Sequence, residues 1–262
     1  MRENRLRALL DAGEPTLGTR FHSVWPGIVE VVGHTRMFDY VEFLAEYAPF
    51  DLHDLDNVCR AAELHGLAAI IKIDQEPRTF LAQRAIGAGF QGVLFADCRS
   101  VEEARQIVAI ARPETPEHIG TYGVAGRRMA YMGYGGSPEY VAAVARTVVA
   151  LMIEKRGAVD ALDEILAVPG VDLIQFGAVD YSLSIGRVGE ARGPDVAAVQ
   201  RHVIERCLSL GVAVRVEVAT PDEVEQWREL GVRHFSLGVD ISVLYEWWLA
   251  NGRRVREIVG AA

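Results

Sequence analysis

Leu151-Met152-Ile153-Glu154, followed further along by Phe176-Gly177-Ala178-Val179-Asp180, decides the fold. Each is a short apolar run that closes on a carboxylate. Val148 to Ile153 and Val171 to Phe176 are rich in branched residues and read as buried strands. Between them, Ala158 to Val168 has helical spacing, with Val159, Leu162, Ile165 and Leu166 on one face. This order predicts a β-α-β unit whose two strands are parallel neighbours. Glu154 and Asp180 then stand just past the carboxyl ends of adjacent strands. Two acids meeting there repel each other unless a cation lies between them. Two readings stand at this point. Both carboxylates hold one divalent metal, or each pairs with a nearby base, for which Lys155, Arg156 and Arg187 are at hand.

The same alternation runs outward in both directions. Thr16 to Phe21, Tyr40 to Leu44, Ala68 to Ile73 and Gly92 to Phe95 read as strands before it, and Val212 to Glu217 and His234 to Leu237 after it. Helical patterns lie between them. Asp51 to His65 carries Leu52, Leu55, Val58, Ala62 and Leu64 as apolar positions. Ser100 with Glu103, and Thr220 with Glu223, read as capping boxes. Met1 to Gly13 forms a helix ahead of the first strand. Ile241 to Val259 closes the chain as a helix carrying Leu244, Trp247, Trp248 and Leu249. Eight strands alternating with helices, undivided by any linker, predict one (β/α)8 TIM barrel over residues 1–262, of the α/β class. A doubly wound open sheet is the alternative, but no G-x-G-x-x-G follows the first strand.

Arg112 to Glu139 interrupts the rhythm. It is rich in Gly, Pro, Tyr and Arg and is longer than an ordinary connection. It reads as a binding loop or an oligomer contact. Its Arg127 and Arg128 are candidates to grip an acidic substrate.

A net charge of −9, with acids and bases interspersed, argues against a nucleic-acid partner. No apolar run reaches membrane-spanning length, and Met1 to Arg7 is too charged for a secretory leader. The expectation is a soluble, cytoplasmic protein with no membrane partner. Cys59, Cys98 and Cys207 are few, odd in number and far apart. They predict structural thiols rather than disulfides or a zinc site.

In a closed barrel the strand ends converge. Glu46 and Tyr47, Lys72, Asp97, Glu154, Asp180, Glu217 and Asp240 all follow or end strands. An acidic mouth around Lys72 suits a divalent cation with oxygen ligands, with substrate and water completing its shell. Such a metal polarises a carbonyl and holds an enolate's developing charge. Lys72 either adds a second positive charge there or pairs with Asp74 or Glu76. A Schiff base on Lys72 is disfavoured, because the acids around it favour the ammonium. His53 is expected on a helix surface. His22 and His34 reach the mouth only if their loops fold inward.

Further motifs complete a family pattern over nearly the whole length. They are Glu46-Tyr47-Ala48-Pro49, Gly87-Ala88-Gly89-Phe90-Gln91-Gly92, Ile153-Glu154, the run Gly177 to Gly186 with Asp180, Ser184 and the final glycine, and Gly238-Val239-Asp240. With them the chain resembles the HpcH/HpaI family of class II, metal-dependent pyruvate aldolases. The resemblance implies a (β/α)8 barrel that cleaves 4-hydroxy-2-oxoacids to pyruvate and an aldehyde, with Glu154 and Asp180 as ligands of Mg2+, Mn2+ or Co2+. It implies that backbone amides around Gly177, Ala178, Val179 and Asp180 hold the oxoacid carboxylate. It also implies a homo-oligomer, a hexamer or trimer of dimers, with the last helix exchanged between subunits.

Four positions depart from the family pattern. Tyr47 replaces the family's catalytic histidine, and Leu44 replaces the aspartate that supports it. Lys72 replaces the arginine that polarises the oxoacid carbonyl, and Met152 replaces a glutamine. Lysine keeps the charge but not the planar fork. Tyrosine is a poor base near neutral pH but a competent hydrogen-bond donor. The expected activity is a metal-dependent aldehyde-lyase in which Lys72 and Tyr47 are catalytic. The alternatives are another metal-dependent reaction on a 2-oxoacid, a decarboxylation or hydration, or a non-catalytic metal-binding barrel.

Overall fold

The computed structural model describes residues 3–124 and 133–260. Its strands are β1 (Thr16–Phe21), β2 (Tyr40–Leu44), β3 (Ala68–Ile73), β4 (Gly92–Cys98), β5 (Val148–Ile153), β6 (Leu173–Phe176), β7 (Ala213–Val218) and β8 (His234–Val239). They pair in chain order, all parallel, and β8 returns to β1 to close the barrel. The open-sheet alternative is thereby excluded. Met152 lies opposite Gln175 and Ile153 opposite Phe176, which is the β-α-β unit expected from the opening stretch. Its helix differs from the expected single run. The chain forms two short helices, Arg156–Asp160 and Leu162–Leu166, because Ala161 leaves helical geometry. Leu162, Ile165 and Leu166 still face the core, Val159 is only partly buried against it, and Ala158 is buried there instead.

Every residue of β2, β3, β5 and β6 is buried, as parallel strands covered on both faces require. Outward-facing Val41, Phe43, Ile71, Ile73, Leu151 and Ile153 pack in the main core with the surrounding helices. Inward-facing side chains divide the barrel interior into two halves. Leu94, Ala150, Met152 and Leu173 form one apolar cluster. Tyr40, Ala68, Ile70 and Val148 form another, closed by Leu6 of the first helix (Arg5–Asp11).

The other half of the interior is polar. Arg215 and Glu42, both essentially without solvent contact, form an ion pair at 2.6 Å. Arg215 Nε donates to Gln175 Oε1 at 2.6 Å. Gln175 Nε2 donates to Glu217 Oε1 at 2.6 Å, and Glu217 Oε2 meets Arg20 at 2.5 Å. Burial alone opposes the charge on Arg215, but Glu42 and its neighbours outweigh it and hold the guanidinium protonated. Tyr40 crosses the interior beside this chain, and its hydroxyl donates to the Phe235 carbonyl at 2.9 Å. Gly18 makes room for that ring: a Cβ there would lie 2.1 Å from a ring carbon.

Several local expectations are corrected. Ser100 does accept the Glu103 amide, but Glu103 reaches back to the Arg99 amide rather than to the cap residue. Thr220 precedes a 3-10 turn, Pro221–Glu223, and its side chain caps no amide there, its hydroxyl donating to Glu223 Oε1 at 3.5 Å instead. Asp51 and Asp54 instead form a capping box on the helix Leu52–Leu64, and Leu52 and Leu64 at its ends are exposed. The three cysteines are buried thiols, none in a disulfide among the described residues. Among the described residues no helix is long and apolar enough to cross a membrane. The final helix, Asp240–Ile258, buries no residue, and Trp247 and Trp248 are each 62% exposed.

Candidate active site

The carboxyl ends of the strands enclose a cavity of about 270 Å³. Tyr47, Lys72, Glu154, Gly177, Ala178, Val179 and Asp180, named from sequence, all line it. Arg127 and Arg128 lie outside the described residues.

Glu154 follows β5 and is 3% exposed. Its Oε1 accepts the Asp97 amide at 2.8 Å. Asp97 adopts a left-handed conformation, φ 60, at this bend. Among the described residues no lysine or arginine forms an ion pair with Glu154. Burial pushes its carboxyl up to about 7, with Asp180 and Asp97 adding to the rise and the Asp97 amide and Lys72 partly offsetting it.

Asp180 sits in the first turn of the helix Ala178–Ser184. Its Oδ1 accepts from Lys155 Nζ at 2.9 Å, and the same ammonium meets Asp97 at 2.6 Å. Burial works against the Lys155 charge, but these two carboxylates outweigh it. The base-pairing reading therefore holds for Asp180 through Lys155 and fails for Glu154. Arg156 and Arg187 pair elsewhere, with Asp160 and Asp195.

Gly177 contributes space. A Cβ on it would lie 2.3 Å from Glu154 Oε2. Its amide is already bonded to the Ile153 carbonyl at 3.1 Å, so the expectation that it donates to a substrate carboxylate is corrected. The amides of Ala178, Val179 and Asp180, in a helical first turn, have no intrahelical partner.

Lys72 is the next-to-last residue of β3, and the register sets Leu44 beside it. Its ammonium therefore meets Glu46 at 2.6 Å and donates to the Tyr47 hydroxyl at 2.7 Å. Asp74 and Glu76, the partners expected from proximity in sequence, are not those used. Burial opposes the Lys72 charge, but Tyr47 and Glu46 more than offset it and raise its pKa. An amine free for Schiff-base chemistry is thus disfavoured. Partial burial pushes the Tyr47 hydroxyl up to about 12, so it stays neutral and is a donor rather than a base. Leu44 and Met152 present apolar surface to the cavity.

Of the three histidines considered, the loop after β1 brings His22 to the rim. Its Nδ1 is 3.4 Å from Asp240 Oδ1, and its ring is 5.9 Å from that of Tyr47. His34 packs against His65, and His53 is exposed. Sequence reading missed Arg20 and Arg215 as cavity residues. The alternation Val214-Arg215-Val216-Glu217-Val218 carried the signal, since polar residues at every second position of a covered strand must face the barrel interior.

A family model described as HpcH/HpaI aldolase/citrate lyase matches residues 26–246. A hydroxypyruvate/pyruvate aldolase from Roseovarius nubinhibens is 29% identical over 245 residues, covering 92% of each chain. A 5-keto-4-deoxy-D-glucarate aldolase from an Enterobacter species is 29% identical over 242 residues, again covering 92% of each. The crystal structure of an HpcH/HpaI aldolase/citrate lyase family protein from Burkholderia cenocepacia superposes with a TM-score of 0.85 at 28% identity, covering 99% of this chain and 100% of that one. With a closed barrel beneath it and the family model spanning strands two to eight, the chain belongs to the HpcH/HpaI aldolase/citrate lyase family.

Proposed function

We propose that the protein is a divalent-metal-dependent carbon–carbon lyase that cleaves or forms a 4-hydroxy-2-oxoacid through a pyruvate-like enolate. The observation that carries this reading is the pair Glu154 and Asp180 at the ends of adjacent strands, with Glu154 buried and in no ion pair among the described residues. The aldolase relatives support the reaction class.

The residues fit a hard cation. Their donors are carboxylate oxygens, and the missing side chain of Gly177 keeps space beside Glu154 Oε2. Glu154 and Asp180 would hold Mg2+, Mn2+ or Co2+. Two carboxylates suffice for such a cation, and water and the oxoacid would supply its other ligands. When bound, the cation supplies Lewis acidity at the 2-oxo group.

The chain's own groups do the rest. Lys72, fixed as an ammonium, stabilises the enolate oxygen. The Tyr47 oxygen accepts from Lys72, which leaves its proton to donate to the aldehyde oxygen. The amides of Ala178 and Val179 hold the oxoacid carboxylate. Arg127 and Arg128 are assigned to the acidic substrate by sequence alone.

Lys72→Met is expected to lower kcat/KM by about 100- to 1,000-fold, with partial recovery in Lys72→Arg. Steady-state assays with a 4-hydroxy-2-oxoacid measure it, and an unchanged Lys72→Met enzyme rejects the role. Leu44 and Tyr47 at the family's dyad positions favour, as a second reading, decarboxylation or hydration of the same oxoacid. Product analysis by NMR separates the two.

The bare apolar face of the final helix supports a homo-oligomer, a hexamer or trimer of dimers, with that helix exchanged between subunits. Combined Trp247→Glu and Trp248→Glu changes are expected to reduce the mass seen by light scattering. An unaltered mass places the contact elsewhere.

A further inference from the structure

We propose that His22, oriented by Asp240, is the catalytic group that moves the proton in the carbon–carbon step, an assignment that rests on the aldolase reading above. Among the described residues, the other titratable side chains that line the cavity already have partners or roles. Lys72 is held as an ammonium by Glu46 and Tyr47. Tyr47 is a neutral phenol. Glu154 and Asp180 belong to the cation, and Asp97 is bound by Lys155. Glu217 is shared between Arg20 and Gln175.

His22 is different. Asp240, whose side chain is only 4% exposed, accepts the backbone amides of both His22 and Ser23 at 3.0 Å. The carboxylate is thereby fixed, with its Oδ1 3.4 Å from the His22 Nδ1. A carboxylate at Nδ1 favours the tautomer that leaves Nε2 as the acceptor. The ring stands on the rim at 21% exposure, beside the Tyr47 ring. Tyr47 lines the cavity at the end assigned to the aldehyde, so the His22 ring stands directly behind a cavity side chain.

In the cleavage direction, Nε2 takes the proton of the C4 hydroxyl as the C3–C4 bond breaks. The bonding pair stays on C3 as the enolate, and the C4 oxygen becomes the aldehyde carbonyl. The imidazolium then returns its proton to C3, which becomes the pyruvate methyl. No proton is gained or lost overall. Condensation runs the same transfers in reverse.

The test compares wild-type, His22→Ala and His53→Asn proteins, each with Mn2+. It reads exchange of the pyruvate methyl protons in D2O, retro-aldol kcat and pyruvate binding. His22→Ala is expected to lose about 100-fold or more in both rates. Its pyruvate affinity stays at the wild-type level, and imidazole added to the buffer restores part of the rate. His53→Asn keeps the full rate. Wild-type exchange in His22→Ala overturns the proposal. So does a loss that imidazole does not restore and that follows lost pyruvate binding, since that marks a structural role. A wild-type protein that shows no exchange overturns the aldolase reading, and this assignment with it.

Discussion

Glu154→Gln is expected to lower turnover strongly and, in the metal-free protein, to raise stability at pH 8 by up to about 3 kcal/mol. The Glu154 carboxyl titrates near 4.5 when free and is pushed up to about 7 by burial in the fold. The fold thus prefers the protonated form. Below the unfolded value both states are protonated and no penalty exists. As pH rises from 4.5 towards 7 the unfolded chain ionises first, and stability falls across that window. Above 7 the full penalty is present. Glutamine keeps the shape, still accepts the Asp97 amide, and carries no charge to desolvate. On the proposed function a divalent cation is expected to reverse the ranking, because it would bind the folded glutamate and stabilise it by mass action. Denaturant unfolding at pH 5 and pH 8, with EDTA and then with Mn2+, measures both halves. A less stable Glu154→Gln protein at pH 8 in EDTA contradicts the stated cause. Turnover should fall at least about 100-fold.

Arg215→Met is expected to cost about 3–5 kcal/mol, because it strands a buried carboxylate. Glu42 is fully buried, and Arg215 is its ion-pair partner among the described residues. Removing the guanidinium also leaves Gln175 Oε1 without its donor. Replacing both ends, Glu42→Leu with Arg215→Met, should recover most of the loss, since the desolvation of two charges disappears with them. Urea unfolding of the two single variants and the double variant tests this as a cycle. An additive double variant shows that the pair does not act as a unit.

The sequence made the β5–β6 unit legible because both its faces are buried, so apolar runs of strand length bracket a helical repeat. Position at a strand end then placed Glu154, Asp180, Lys72 and Tyr47 around one cavity. Partners were less legible than positions. Lys72 meets Glu46 because strand register sets β2 beside β3, whereas local spacing pointed to Asp74 and Glu76. The Glu42–Arg215 pair joins opposite ends of the chain, and no local pattern shows which charged residues will meet. His22 depends on a loop pinned by Asp240, far away in sequence, and only barrel closure between β8 and β1 brings the two together. Thr220 had the sequence of a capping box, but the tighter turn at Pro221 left it unused.

The most direct test of the central claim is proton NMR of pyruvate in D2O with the wild-type protein, in Mg2+, Mn2+ or Co2+ and in EDTA. The methyl signal is expected to disappear with metal and to persist in EDTA. A methyl signal that persists with every metal contradicts an enolate formed at Glu154, Asp180 and Lys72.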